Sequence, residues 1–195
     1  MWNAKNVFDL TEEEYLALGI ARAYKNTYGD DIIFNRESHG RDESLVNNLN
    51  RTIGWFTSQY PVYVKLSSDK RSLNEDAANL KKAFNEIKHM GLNYSSLIYN
   101  SCEFSFKHCP VTFNFLSTEF TFTNEMFESL EVQALDDETK EFYSENTHFG
   151  IDLNIYKVKE GYLVKGSCSV DTYLDEKFSE FVDNIKSELE LISKY

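Results

Sequence analysis

Asp31-Ile32-Ile33-Phe34-Asn35 runs directly into Arg36-Glu37-Ser38-His39-Gly40-Arg41-Asp42, and the reading of that junction decides the fold. The first five residues are short, apolar and β-branched, as in a strand. The polar cluster that follows stands at the strand's exit, where loops carry function on a rigid scaffold. In an extended backbone Glu37, His39 and Arg41 alternate onto one side. A carboxylate beside a guanidinium stays ionised as a base, while one against apolar walls is raised toward a neutral acid. A salt-bridged surface turn uses the same residue types, and spacing alone favours that reading. A second unusual stretch follows, Arg51-Thr52-Ile53-Gly54-Trp55-Phe56-Thr57-Ser58-Gln59-Tyr60-Pro61. Gly54 ahead of two large aromatics describes a tight backbone path past a buried aromatic platform. Core packing and the wall of a ligand channel both fit, and the residue types lean to core.

Working outward, Thr11-Glu12-Glu13-Glu14 predicts a capping box that opens a helix with Leu16, Ile20 and Ala23 on one face and Gly29 as its stop. Ser72-Leu73-Asn74-Glu75 predicts a second box, with Leu73, Ala77, Leu80, Phe84 and Ile87 as the stripe and Gly91 as the close. A third helix is expected from about Leu174 to Ile192, with Phe178, Phe181, Val182, Ile185 and Leu189 facing the core. Further strands are expected at Val62–Leu66, after Pro61, and at Val111–Leu116, after Pro110. Phe149–Val158 and Tyr162–Val170 flank Lys159-Glu160-Gly161 as a hairpin. In its first arm Asp152, Asn154 and Lys157 interleave with Ile151, Leu153, Ile155 and Val158, giving one wet face. Residues 134–148 are polar and acidic and read as a loop. Helices and strands do not alternate as βαβ units, so the expectation is one domain over residues 1–195, of mixed α/β class, with sheet and helices in layers.

Composition removes several function classes. The chain has 195 residues, 42% of them apolar, with 15 Phe, 12 Tyr and only 2 Pro, which excludes disorder and low-complexity architecture. Its net charge of −12 opposes the basic footprint of a nucleic-acid binder. The acidity is concentrated: residues 1–100 hold 12 basic and 13 acidic side chains, residues 101–195 hold 8 and 19. Cys102, Cys109 and Cys168 form no metal or disulfide pattern and fit a reducing cytoplasm. Met1–Leu10 has no signal-peptide core, and the longest helical apolar stretch is too short for a bilayer, so a soluble cytoplasmic protein is expected. His89, His108 and His148 are isolated, no metal-ligand spacing occurs, and no nucleophile elbow, P-loop or dinucleotide fingerprint is present.

Taken together, the two unusual stretches resemble a known family. Glu37-Ser38-His39-Gly40-Arg41-Asp42, followed by Arg51-Thr52-Ile53-Gly54-Trp55-Phe56-Thr57-Ser58-Gln59-Tyr60-Pro61, is similar to the E-G-H-G-R-E and R-T-V-G-W-F-T-x-x-Y-P motifs of nonribosomal peptide synthetase epimerization domains, a branch of the condensation domains. Gly91-Leu92-Asn93-Tyr94-Ser95 is similar to the family's G-x-G-Y-G, and Phe113-Asn114-Phe115-Leu116 to its F-N-Y-L. Asn146, Leu153, Ile155 and Gly161 resemble its closing hairpin. The resemblance implies a chloramphenicol-acetyltransferase-like, mixed-sheet two-layer sandwich, half of a two-lobed domain. The family's H-H-x-x-x-D-G motif does not occur in this sequence, which resembles the C-terminal lobe alone.

The resemblance further implies a tunnel between lobes, reached by the phosphopantetheine arm of a peptidyl carrier protein, with no cofactor bound directly. Glu37 takes the position of the glutamate that exchanges the α-proton of an aminoacyl or peptidyl thioester. Arg41 and Asn114 fall on positions that hold charge or the thioester, and His39, Trp55, Tyr94 and Phe115 on the tunnel wall. Ser38, Asp42, Asn93, Ser95 and Phe115 depart from the motifs, Phe115 removing a hydroxyl donor. The expectation is therefore a synthetase lobe with little catalysis of its own, completed by a missing N-terminal lobe. The alternative is a non-catalytic interaction module for a carrier protein or another synthetase segment, with Lys70, Arg71, Lys81, Lys82 and Lys88 as the candidate basic cluster. A lobe without its partner exposes the face meant for it, so a homodimer is also expected to be open to it.

Overall fold

The structure, a computed structural model, describes residues 8–69, 72–94, 97, 109–116, 150–158, 161–168 and 175–195. Its elements in chain order are α1 (Glu12–Tyr28), β1 (Ile32–Ser38), β2 (Ser58–Val64), α2 (Leu73–Asn85), β3 (Val111–Leu116), β4 (Ile151–Val158), β5 (Gly161–Cys168) and α3 (Asp175–Ile192), with 3-10 turns at Leu49–Arg51 and His89–Gly91. The strands form one sheet in the order β2-β1-β3-β4-β5. β1 pairs antiparallel with β2 and parallel with β3, β3 runs parallel to β4, and β4 closes antiparallel on β5. This is the mixed-sheet α/β architecture expected from the element pattern.

The start of α1 is set by the predicted capping box. Thr11 Oγ1 accepts from the Glu14 amide at 3.2 Å, and the Glu14 carboxylate accepts from the Thr11 amide at 2.7 Å. Gly29 ends the helix in the left-handed region, φ 88°. Burial of α1 goes beyond the expected stripe: every residue from Glu14 to Tyr24 is buried, because α2 and α3 flank it above the sheet. Gly19 lets α3 approach, since a Cβ there would meet the Leu189 side chain at 2.5 Å. Arg22, buried at this crossing, pairs with Asp76 of α2 and, at 2.7 Å, with Glu188 of α3. Asn26 donates to the second Glu188 oxygen and the Ser67 amide to the second Asp76 oxygen, both at 2.7 Å, so the network is bonded throughout.

The helices cover one sheet face. Ile32, Phe34, Val62, Val64, Val111, Phe113, Ile151, Leu153 and Ile155 are buried there in one cluster with Leu16, Ile20, Leu80, Phe181 and Ile185. At about 25 cal/mol per Å² of apolar surface removed from water, this layer is the dominant stabilising term of the fold.

Six local readings are corrected. Ser72 makes no side-chain cap, so the second box is not formed. α2 stops at Asn85 rather than Gly91, because His89 and Met90 take positive φ of 50° each and Gly91 one of 71°. Val182 is 41% exposed, so the α3 stripe is Phe178, Phe181, Ile185 and Leu189. Lys157 lies on the helical face, where its amine meets Glu12 at 2.9 Å, and the wet side of β4 is carried by Asp152 and Asn154. β1 runs on to Ser38, and β2 starts at Ser58 with Pro61 inside it, opposite Asn35. That proline is tolerated because β2 is an edge strand. The acidic stretch 134–148, the hairpin residues 159–160, and Ser95, Asn146, Lys70 and Arg71 lie outside the described residues. No helix among the described residues is long and apolar enough to cross a membrane.

Candidate active site at the exit of the first strand

Three sequence motifs converge at the end of β1. Gly40 has φ 63°, and a Cβ there would fall inside the Phe56 carbonyl, so the loop after β1 lies directly on the loop before β2. Gly91 likewise sits under the Tyr60 ring, where a Cβ has no room. Ser58 donates to the Met90 carbonyl, and His89 Nδ1 lies 3.0 Å from the Asp42 carboxylate. The Asp42 carboxyl is held below its usual range, first by the Ser44 hydroxyl, then by the Ser44 amide and His89.

Arg41 organises the longer loop. Its guanidinium donates to the carbonyls of Leu49, of Thr52 at 2.8 Å and of Gly54 at 3.3 Å, and lies 4.3 Å over the Phe56 ring. The backbone amide of Arg41 donates to His39 Nδ1 at 3.0 Å, which leaves the proton of the neutral imidazole on Nε2. Extended alternation therefore does not bring Glu37, His39 and Arg41 together: the strand ends at Ser38 and the chain turns at Gly40. The core reading of the aromatic stretch is also overturned. Ile53 and Trp55 are 101% and 90% exposed, held outward by a loop fastened through its own carbonyls.

Glu37 is half-buried near the end of β1, and its carboxylate accepts from Nε2 of Gln59, its cross-strand partner. It lies on the sheet face away from the helices. Asn114 is on that face too, its Nδ2 3.5 Å from Asn154 Oδ1. Phe115 is on the opposite, helical face, with its ring 6.2 Å from Tyr162. Tyr94 packs against the core, and burial raises its hydroxyl pKa. Burial also pushes the Cys109 thiol up to about 11, which keeps it a protonated, poor nucleophile. Of the basic cluster, Lys81 is engaged by Asp9 at 2.6 Å.

Residue types alone did not point to Asn35, Thr112 and Asp152, which share the face with Glu37. Their signal was the polar alternation Asn35–Glu37, Thr112–Asn114 and Asp152–Asn154, visible once three strands are laid side by side. Desolvation by the surrounding protein raises the Asp152 pKa, although the residue keeps an exposed edge. Asn154 donates to it at 3.2 Å and so opposes the rise, and the Glu37 charge adds to it. Among the described residues no cluster of three His, Cys, Asp or Glu side chains is arranged to hold a metal.

The mixed sheet, the helices on one of its faces and these interlocked loops define a layered α/β domain. The model of the condensation domain family matches residues 17–194, and the chain belongs to that family. It is 36% identical over 107 residues to tyrocidine synthase 1 of Brevibacillus parabrevis, covering 51% of this chain and 10% of that protein. Over 84 residues it is 36% identical to gramicidin S synthase 1 of Brevibacillus brevis, covering 43% of this chain and 8% of the relative. The similarity to these two synthases extends over about half of this chain. The epimerization domain from the third module of tyrocidine synthetase B superposes with a TM-score of 0.69 at 19% identity, covering 94% of this chain and 42% of that one. An X-domain, solved in complex with OxyB from teicoplanin biosynthesis, gives 0.62 at 15%, covering 95% and 40%. These likenesses show the chloramphenicol-acetyltransferase-like fold. The chain spans about two fifths of the solved domains and a small fraction of the synthetases.

Proposed function

We propose that this chain is the C-terminal lobe of an epimerization-type condensation domain and supplies one wall of a site for aminoacyl or peptidyl thioesters carried on the phosphopantetheine arm of a peptidyl carrier protein. The observation that supports this best is the Glu37 carboxylate, half-buried at a strand exit, oriented by Gln59 and backed by a loop that Arg41 fastens. Inverting Cα takes a base on one face of the carbon, an acid on the other, and donors for the enolate oxygen as charge develops. Glu37 is one of the two carriers of the proton. A complementary lobe bearing the H-H-x-x-x-D-G motif supplies the other, so the chain alone turns over little. Arg41 is a positioning residue here, because its donors go to loop carbonyls.

Deuterium wash-in at Cα of a carrier-bound aminoacyl thioester tests the reading. Exchange should be at background with the chain alone, appear when a matching N-terminal lobe is added, and vanish with Glu37→Gln. Exchange that ignores Glu37→Gln, or never appears with the added lobe, would sink it. The exposed Ile53 and Trp55 on a fastened loop favour a second reading, an interaction module, and a domain of this fold has been solved bound to OxyB. In that case Glu37→Gln leaves partner binding intact while Trp55→Ala abolishes it.

A further inference from the structure

Two cross-strand rows of polar side chains lie on the sheet face away from the helices. One runs Asn35–Thr112–Asp152–Ser167 across β1, β3, β4 and β5. The other, one pleat further on, holds Gln59 and Glu37, then Asn114–Asn154–Lys165. Neighbouring strands are about 4.8 Å apart, so successive side chains in a row are within contact range. The second row is internally bonded, Gln59 to Glu37 and Asn114 to Asn154. The first is not. Asn35 is 2% and Thr112 6% exposed, yet among the described residues Asn35 Nδ2 and Thr112 Oγ1 have no hydrogen-bond partner. Buried polar groups are otherwise nearly always bonded, so an orphan pair beside a candidate catalytic carboxylate points to a ligand that completes it.

The chemistry of the row selects that ligand. An amide nitrogen only donates and a hydroxyl can donate, so Asn35 and Thr112 call for an acceptor oxygen. Asp152 and Glu37, close enough to feel each other's charge, call for a cation. An α-aminoacyl thioester offers both on adjacent carbons, an ammonium and a carbonyl oxygen. A peptidyl thioester, acylated on nitrogen, offers no cation. We propose that Asn35, Thr112 and Asp152 form, beside Glu37, the subsite for the α-ammonium and carbonyl oxygen of an aminoacyl thioester with a free amine, and so favour aminoacyl over peptidyl substrates. Asp152 takes the ammonium, while Thr112 and Asn35 donate to the carbonyl oxygen. The inference rests on the thioester reading above.

The probes are an alanyl pantetheine amide, in which NH replaces the thioester sulfur, and its N-acetyl form, each titrated into the ¹⁵N-labelled chain. The free amine should shift the Asn35 side-chain amide and bind about tenfold more tightly than the N-acetyl form, the worth of one charge-assisted contact. Asp152→Asn should erase that preference, and Thr112→Val should weaken both probes alike. Each variant is checked for a native amide spectrum. Equal affinity for the two probes, or shifts confined to Gln59 and the Glu37 amide while Asn35 stays silent, would overturn the subsite and leave the thioester reading standing. No shift around Glu37 with either probe when a matching N-terminal lobe is also present would overturn both.

Discussion

On the helical side of the sheet, Arg22 is bonded to Asp76 and Glu188, whose remaining oxygens are bonded in turn; on the other side, Asn35 Nδ2 and Thr112 Oγ1 are buried without a partner among the described residues. Even the Arg36 Nε orphan on the helical side belongs to a guanidinium paired with Glu13 and lying 3.9 Å over the Phe84 ring. A buried polar group without a partner costs roughly 1–3 kcal/mol. One face has been completed within the chain, and its groups serve stability. The other keeps two buried groups without a partner among the described residues, the pattern expected of a binding surface.

The most severe way to break this contrast is to undo the completed face. Arg22→Ala leaves the Asp76 and Glu188 carboxylates buried without their cation and should cost about 3–5 kcal/mol, read as a lower urea midpoint with an unchanged slope. A loss no larger than that of a surface residue would mean water reaches the network. Gly40→Ala attacks the loop end, forcing a side chain into a φ of 63° and into the Phe56 carbonyl. It should cost roughly 2 kcal/mol and release the loop, read as altered Trp55 fluorescence before global unfolding. Asp152→Asn should act in the opposite direction. Desolvation and then the Glu37 charge raise the folded pKa of Asp152, so the stability linked to its protonation is present below the unfolded value, near 3.8, and is lost as pH rises through the folded value. Removing the charge should therefore raise the melting temperature slightly at pH 7 and leave it unchanged below pH of about 3.5. A destabilised variant at neutral pH would mean that Asp152 supports the fold rather than a ligand.

Much of the fold was legible because its signals are local. The Thr11 box, the Gly29 stop and the span of β3 each follow from residues within a turn or a strand. The misreadings arose where a partner distant in sequence decides. Lys157 turns inward because Glu12 waits at the start of α1, and the backbone after α2 turns left-handed at His89, Met90 and Gly91, where the Tyr60 ring packs against Gly91. For the candidate site, the positions of Glu37 and its loop were legible from their motifs. The contacts of Arg41 were not, because its partners are backbone carbonyls that carry no side-chain signature. Nor were the polar rows, since parallel pairing joins Asn35, Thr112 and Asp152 from three widely separated segments.

Pro61 adds a constraint on growth. It sits in β2, at one margin of the sheet formed by the described strands, and leaves that strand one amide hydrogen short. An incoming extended segment, whether a neighbour's strand or an aggregating copy, finds the backbone ladder interrupted there. Among the described strands the β5 margin carries no proline, so an added strand is accommodated more readily there than along β2.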